Sequence, residues 1–337
     1  MDWRIIMRSG KKAYVKIAVL FLSLIIVSVI SLFFFPSPAD FSMEGSRLLH
    51  VLYRIRLPEI MIAITAGAAL GLSGALMQTL LDNSLASPFT LGVSSASACG
   101  ASLAIILGFA HKLVWLSTSL FALVFAIAAV GILMLLSSFM GVSKKTIILV
   151  GMAVNFFFSS ANTLMQYYAS PDAVYQIVFW SSGSLTNARL VDSLRLFLLF
   201  IICLFISLLF SRDMAIIQHG EKDALMKGIN VNLERLLFLF IASLLASLAV
   251  SVIGIIGFVG LVAPHLCRLL GLNEPKFLIL SSGISGALML VLADIVSKTL
   301  IRPTILPIGA VTSILGILFL LILLIAKRRK GYDEQIM

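Results

Sequence analysis

Residues 254–271 read GIIGFVGLVAPHLCRLLG, and their reading decides what kind of fold this chain can have. They lie inside an apolar run, 236–272, in which His265 and Arg268 are the only polar interruptions of any weight. Gly254, Gly257 and Gly260 recur at three-residue spacing, and Pro264 follows, where a lipid-facing helix would carry leucine. Glycine and proline free backbone groups or let a second backbone approach. Hydrocarbon tolerates that only where protein or a water-filled cavity covers the site. An ordinary kinked membrane helix is the plain alternative. The reading adopted is a deliberate break at the centre of a transporter.

The rest of the chain supports a membrane setting. Of its 337 residues 60% are hydrophobic and 12% charged, about half the charge of a soluble domain. Little of the chain is left for a soluble domain, and the net charge of +10 bears on membrane orientation instead of nucleic acid. Arg4, Arg8, Lys11, Lys12 and Lys16 precede an apolar stretch, 17–35, that is too long for a signal peptide and has no small-residue cleavage site after it. Cys99, Cys203 and Cys267 stand in apolar surroundings without metal-ligand spacing and read as small hydrophobes.

Further spans fall near 58–80, 90–110, 114–139, 146–168, 190–210, 277–297 and 305–326, each close to the roughly 20 residues that cross a bilayer. The region 235–270 is too long for one crossing and short for two. Charge decides the count. With two crossings there, only Arg47, Arg54, Arg56, Lys112, Arg189, Arg195, Lys298 and Arg302 of the 25 basic residues fall outside. A single crossing would put Lys327, Arg328, Arg329 and Lys330 outside, against the positive-inside rule. The expectation is an all-α polytopic protein of about ten transmembrane helices with both termini cytoplasmic. Residues 1–337 form one membrane domain: a tail 1–16, a body 17–326 that includes the loop 212–235, and a short basic tail 327–337 without structure.

Upstream of the run, Arg54 and Arg56 stand before Pro58 after an external loop, 36–57, and interfacial anchoring accounts for such arginines. Gly67, Gly71 and Gly74 among alanines and serines allow close helix packing. Gln78, Asn83 and Pro88 follow at the inner end, as pathway or capping groups. The segment 169–189 includes VYQIVFW, with Tyr175 and Trp180 placed as interfacial aromatics. The cytoplasmic stretch 212–235, RDMAIIQHGEKDALMKGINVNLER, reads as one or two short amphipathic helices. It is too apolar for a free loop, which marks a docking surface. Downstream, Asp294 is the acidic residue within the apolar bulk of its half, a functional candidate by default, with Lys298 one helical turn on as a ready partner. No G-x-x-x-x-G-K-[ST], HExxH or G-x-S-x-G occurs, so neither nucleotide hydrolysis nor a membrane hydrolase is indicated. The four histidines are scattered. His265 is either a helix-packing hydrogen-bond partner or a haem or metal ligand, the former being preferred.

GFVGLVAPHLCRLLGL resembles the segment that marks FecCD-type permease subunits of bacterial ABC importers for ferric siderophores, haem and cobalamin. The resemblance extends over 47–325. It includes Arg56-Leu57-Pro58, GAALGLSG, Gln78, the N-x-L-A-x-P of 83–88, the E-x-x-A-x-x-x-G of Glu221, Ala224 and Gly228, and Leu306-Pro307-Ile308-Gly309. It implies a type II importer permease built as an inverted five-helix repeat in the bacterial cytoplasmic membrane. ABC ATPase subunits would dock on 212–235, using ATP and Mg that this chain does not bind. An extracytoplasmic binding protein would meet Arg56 and Lys298, with Arg54 and Arg302 beside them. A second permease subunit, identical or paired, would complete the pathway, and VYQIVFW would be an outer gate. Gly257, Gly260, Pro264, His265 and Arg268 carry over as the break, and Asp294, Pro307 and Gly309 as pathway and packing positions. Two positions depart from the pattern: Glu59 replaces a second arginine, and Ile305 replaces an acidic residue. The competing class is a secondary transporter driven by ions through Asp294, Glu59 and the broken helix.

Overall fold

The computed structural model describes residues 3–33, 50–108, 110–186, 189–301 and 303–336. Its α-helices are α1 (Trp3–Phe33), α2 (Leu57–Leu81), α3 (Val93–Ile106), α4 (Ala110–Met140), α5 (Lys144–Tyr168), α6 (Pro171–Ser181), α7 (Leu190–Leu209), α8 (Ser211–His219), α9 (Glu221–Met226), α10 (Val231–Ile253), α11 (Val259–Leu269), α12 (Pro275–Thr299) and α13 (Ile308–Ile336). Seven stretches are long and apolar enough to cross a membrane, and the shorter apolar helices α3, α11 and the first half of α13 lie where the remaining expected spans fall. Local chemistry sets the starts. Ser143, Ser170 and Asn230 cap α5, α6 and α10 by accepting from backbone N–H groups at 3.1 to 3.3 Å.

The region 235–270 is broken, with residues 254–258 leaving the helix between α10 and α11. Three boundaries differ from expectation. Residues 50–56 belong to the helical entry to α2, a π-turn at Leu52–Arg56, not to a loop. The rest of that expected loop lies outside the described residues, as does Arg302. The tail after Lys327 is not free chain: α13 runs on to Ile336, because lysine, arginine, glutamate and glutamine are good helix formers. The N-terminal basic residues likewise belong to the first span's own helix.

At the centre stands α2, buried on nearly all sides and packed against α12, α10 and α11. Hydrocarbon gives no hydrophobic drive to helix pairing, so contact must come from close approach. Small residues supply it. A Cβ built on Gly71 would lie 2.1 Å from the carbonyl oxygen of Ser282 on α12, and one on Gly67 would lie 2.5 Å from that of Gly286. Around this pair, α3 packs on α4 and α5, and α1 leans on α12 through an edge-to-face contact of Tyr14 with Phe277 at 5.3 Å.

Gly131 on α4 has nothing within 4 Å of a built Cβ. Gly71→Ala therefore lowers stability by about 1–3 kcal/mol through overpacking, whereas Gly131→Ala raises it by about 0.5–1 kcal/mol through helix propensity. Reversible unfolding titrations in mixed micelles measure both.

Candidate functional site

The break owes its shape to what the helix interior lacks. Pro264 has no N–H with which to bond the carbonyl of Gly260, one turn earlier. That freed oxygen packs on α2, where a Cβ built on Gly74 would lie 1.6 Å from it. Only glycine at 74 admits this contact. Below it, the Gln78 side chain donates to Leu261 O at 3.1 Å and accepts from the Arg268 guanidinium, so one amide joins α2 to two turns of α11. His265, on the same helix, lies edge-on to Phe319 at 6.3 Å. Gln78 and Arg268 were separate candidates in the sequence; the fold makes them one contact.

At its upper edge the break receives two other chain segments. Ser184 N–H donates to Ile253 O at 2.9 Å, and Gly309 N–H donates to Ser182 O at 3.1 Å. A Cβ on Gly309 would meet Ile255 O at 2.5 Å and Ser182 O at 2.6 Å. The C-terminus of α6, the break and the start of α13 are thus locked backbone to backbone. Pro307 opens α13 and stays exposed, while Gly257 abuts Ser313. Phe258 stands at φ +67, a strained setting for a bulky residue, and its side chain sits over Gly316 of α13. Phe258 and Gly316 were missed in the sequence, although an aromatic lodged between glycines inside an expected break was the available signal.

Helix α6 contains VYQIVFW and has a cavity on each side. One, of about 360 Å³, is lined by Ser95, Ser159, Asn162, Gln166, Ser181 and Ser182 with apolar neighbours. The other, of about 330 Å³, is lined by Tyr175, Phe179, Ser184, Thr186, Ile305 and Pro307 among others. Hydroxyls and amides in membrane-depth helices line the first, and among the described residues no charged side chain lines either.

At the far end, α9 and the turn after it carry the E-x-x-A-x-x-x-G residues, and each has a structural task. Glu221 accepts from Arg235 at the root of α10. Arg235 is 2% exposed, and it also donates to Val142 O at 3.2 Å in the turn between α4 and α5. Ala224 is buried against Ile217 and Val231. Gly228 stands at φ +78 with open space around it, so its backbone conformation, which closes α9 with Gly228 N–H to Leu225 O at 3.0 Å, explains the glycine. The side chains left outward are Lys222, Asp223, Leu225, Met226 and Lys227, with Met226 79% exposed. Nearby, Asn83 caps its own turn by accepting from Leu85 N–H at 3.0 Å, and Pro88 is buried in the same turn region.

The opposite corner, where α2 begins and α12 ends, departs from expectation. Lys298 was expected at a partner surface, but its side chain is 8% exposed and donates to Glu59 at 2.8 Å and to Asp294 at 2.7 Å. Arg56 lies 3.5 Å from the same Glu59 oxygen. The cause is Glu59 itself, which supplies a buried carboxylate where a cation was expected. Asp294, on which an ion-coupled reading rests, is already paired. Among the described residues no group of three metal-ligating side chains forms.

The model of the FecCD transport family matches residues 16–326 of this chain. The hemin transport system permease protein HmuU of Yersinia pestis is 32% identical over 283 residues, covering 83% of this chain and 85% of its own. The ferric enterobactin transport system permease protein FepG of Escherichia coli is 32% identical over 275 residues, covering 82% of each. Among solved structures, an inward-facing conformation of a putative metal-chelate type ABC transporter superposes with a TM-score of 0.84 at 30% identity, covering 92% of this chain and 98% of its own. With the broken helix, the central α2 and the family model over nearly its whole length, this membrane protein belongs to the FecCD transport family.

Proposed function

We propose that this chain is the permease subunit of an ATP-binding cassette importer of the bacterial cytoplasmic membrane. It works with a second permease subunit, two ATPase subunits on the side of α8 and α9, and an extracytoplasmic binding protein at the opposite end. A ferric siderophore is the substrate, with haem and cobalamin as the alternatives. The observation that carries this reading is the build of α9. Its motif residues brace the backbone, Glu221 through Arg235, Ala224 against Ile217 and Gly228 in the closing turn, leaving a knob with Leu225 and Met226 outermost. Exposed apolar residues among charges, held on a braced element, suit a protein partner.

The chain itself supplies a path and a lever. The cavities beside α6, lined among the described residues by hydroxyls, amides and apolar groups, favour passage of a large ligand handed over by another protein, and α6 acts as the gate between them. Arg235 ties the knob to α10, whose other end is the break under α6. A push on α9 therefore reaches the gate along one helix. ATP and its Mg remain with the partner, which supplies the energy of phosphate release. The nature of relatives such as the hemin and ferric enterobactin permeases supports the substrate class.

Uptake in cells lacking the gene tests this. Labelled ferric hydroxamate and catecholate siderophores, haem and cobalamin are offered with and without ATP depletion. Loss of one ATP-dependent uptake is expected, and uptake that follows the proton gradient while ignoring ATP would sink the importer reading. Replacing Leu225 and Met226 together by aspartate should remove co-purifying ATPase while the permease still inserts. Arg235→Met should free the knob, because Glu221 is half-exposed and can return to water. Trypsin cleavage at Lys222 and Lys227 then accelerates about tenfold as local opening becomes easier, and unchanged cleavage would mean that Arg235 does not brace the loop.

A further inference from the structure

The corner formed by Arg56, Glu59, Asp294 and Lys298 holds two cations and two carboxylates, and its net charge is zero. Glu59 is 3% exposed and Asp294 is 3% exposed. The Lys298 ammonium already gives hydrogen bonds to both. A carboxylate arriving from a partner would have to displace one of these, and a displaced buried carboxylate is left unpaired in a poorly solvated site. Such an exchange gains nothing. One residue earlier along the π-turn than Ile55, Arg54 is exposed, flanked by exposed Tyr53 and Ile55.

We infer that Glu59 withdraws Lys298 and Arg56 from the partner surface, so that this corner meets its binding protein as a neutral contact and Arg54, exposed beside it among the described residues, receives an acidic residue of that protein. The inference rests on the importer reading above. Glu59 thus sets partner specificity. A binding-protein lobe with an acid aimed at Lys298 is a mismatch. A lobe that is uncharged over α2 and α12, with a carboxylate reaching the apolar-flanked Arg54, fits.

The test uses the full chain in lipid nanodiscs, open on both faces, with two readouts. The first is acetylation of Lys298 by a water-soluble amine reagent, scored by mass spectrometry against the exposed Lys227 in the same molecules. Wild-type Lys298 should react several-fold more slowly than Lys227, and E59Q should narrow the gap. The second is capture of a substrate-binding protein that carries one carboxylate on each docking lobe. E59Q leaves the corner with net charge +1 and should raise capture about tenfold at low salt, a gain that fades at high salt. R54Q should lower the capture shown by wild type. If E59Q does not fold, the wild-type comparison of Lys298 with Lys227 still decides whether the corner is closed. Equal labelling of the two lysines overturns the inference. So does capture that is the same for wild type and E59Q. No capture by any variant overturns it together with the importer reading, whereas the uptake assay tests that reading separately.

Discussion

The contact on which the structure depends is the carbonyl oxygen of Gly260 lying against the backbone of Gly74. Proline at 264 removes that oxygen's helical donor, and in hydrocarbon an orphaned carbonyl must find cover. The cover is α2, which can come close enough only because position 74 has no side chain. From this contact the rest follows in sequence. With α11 seated on α2, Gln78 can reach Leu261 and Arg268, and the break at 254–258 stays where α6 and α13 can bond to it.

Two of these partners are then coupled by geometry. Helix α6 ends on Ser182, whose carbonyl accepts from Gly309 N–H, while Ser184 N–H donates to Ile253 O. Moving α6 away from the break means giving up backbone hydrogen bonds to α10 and α13 together. The two junctions therefore stand or fall together, since a helix end that shifts by a fraction of a bond satisfies neither. Phe258 fits this picture. Its left-handed backbone is strained, and the strain is held by seating the ring on Gly316.

Much of this was legible in the chain. The break could be read from Gly254, Gly257, Gly260 and Pro264, because hydrocarbon punishes such residues unless they are covered. The long apolar helices followed from length and hydropathy, and a short helix at VYQIVFW was foreseen from its resemblance. What could not be read were pairings across the fold. Gln78 and Arg268 are 190 residues apart, and Glu59 and Lys298 are 239 apart; spacing along one helix carries no trace of such contacts. The extension of α13 beyond Lys327 was missed for another reason, since a basic stretch after a span looks like a solvated tail although its residues favour helix.

The loop at α9 shows how a motif can mislead about contact. Its motif residues invite the view that they touch the partner. In the fold Glu221 faces Arg235, Ala224 faces the interior, and Gly228 serves the turn. Their common task is to hold the backbone of 221–228 in one shape. Residues that meet another protein can vary as the partner varies, but the brace beneath them has to stay. An internal constraint is thus easier to find in sequence than the surface it presents. By the same logic Glu59 is informative because it departs from the pattern at a position that is buried. A charge reversed on an open surface would change one contact, whereas a charge reversed inside the corner redirects Lys298 and Arg56 at once.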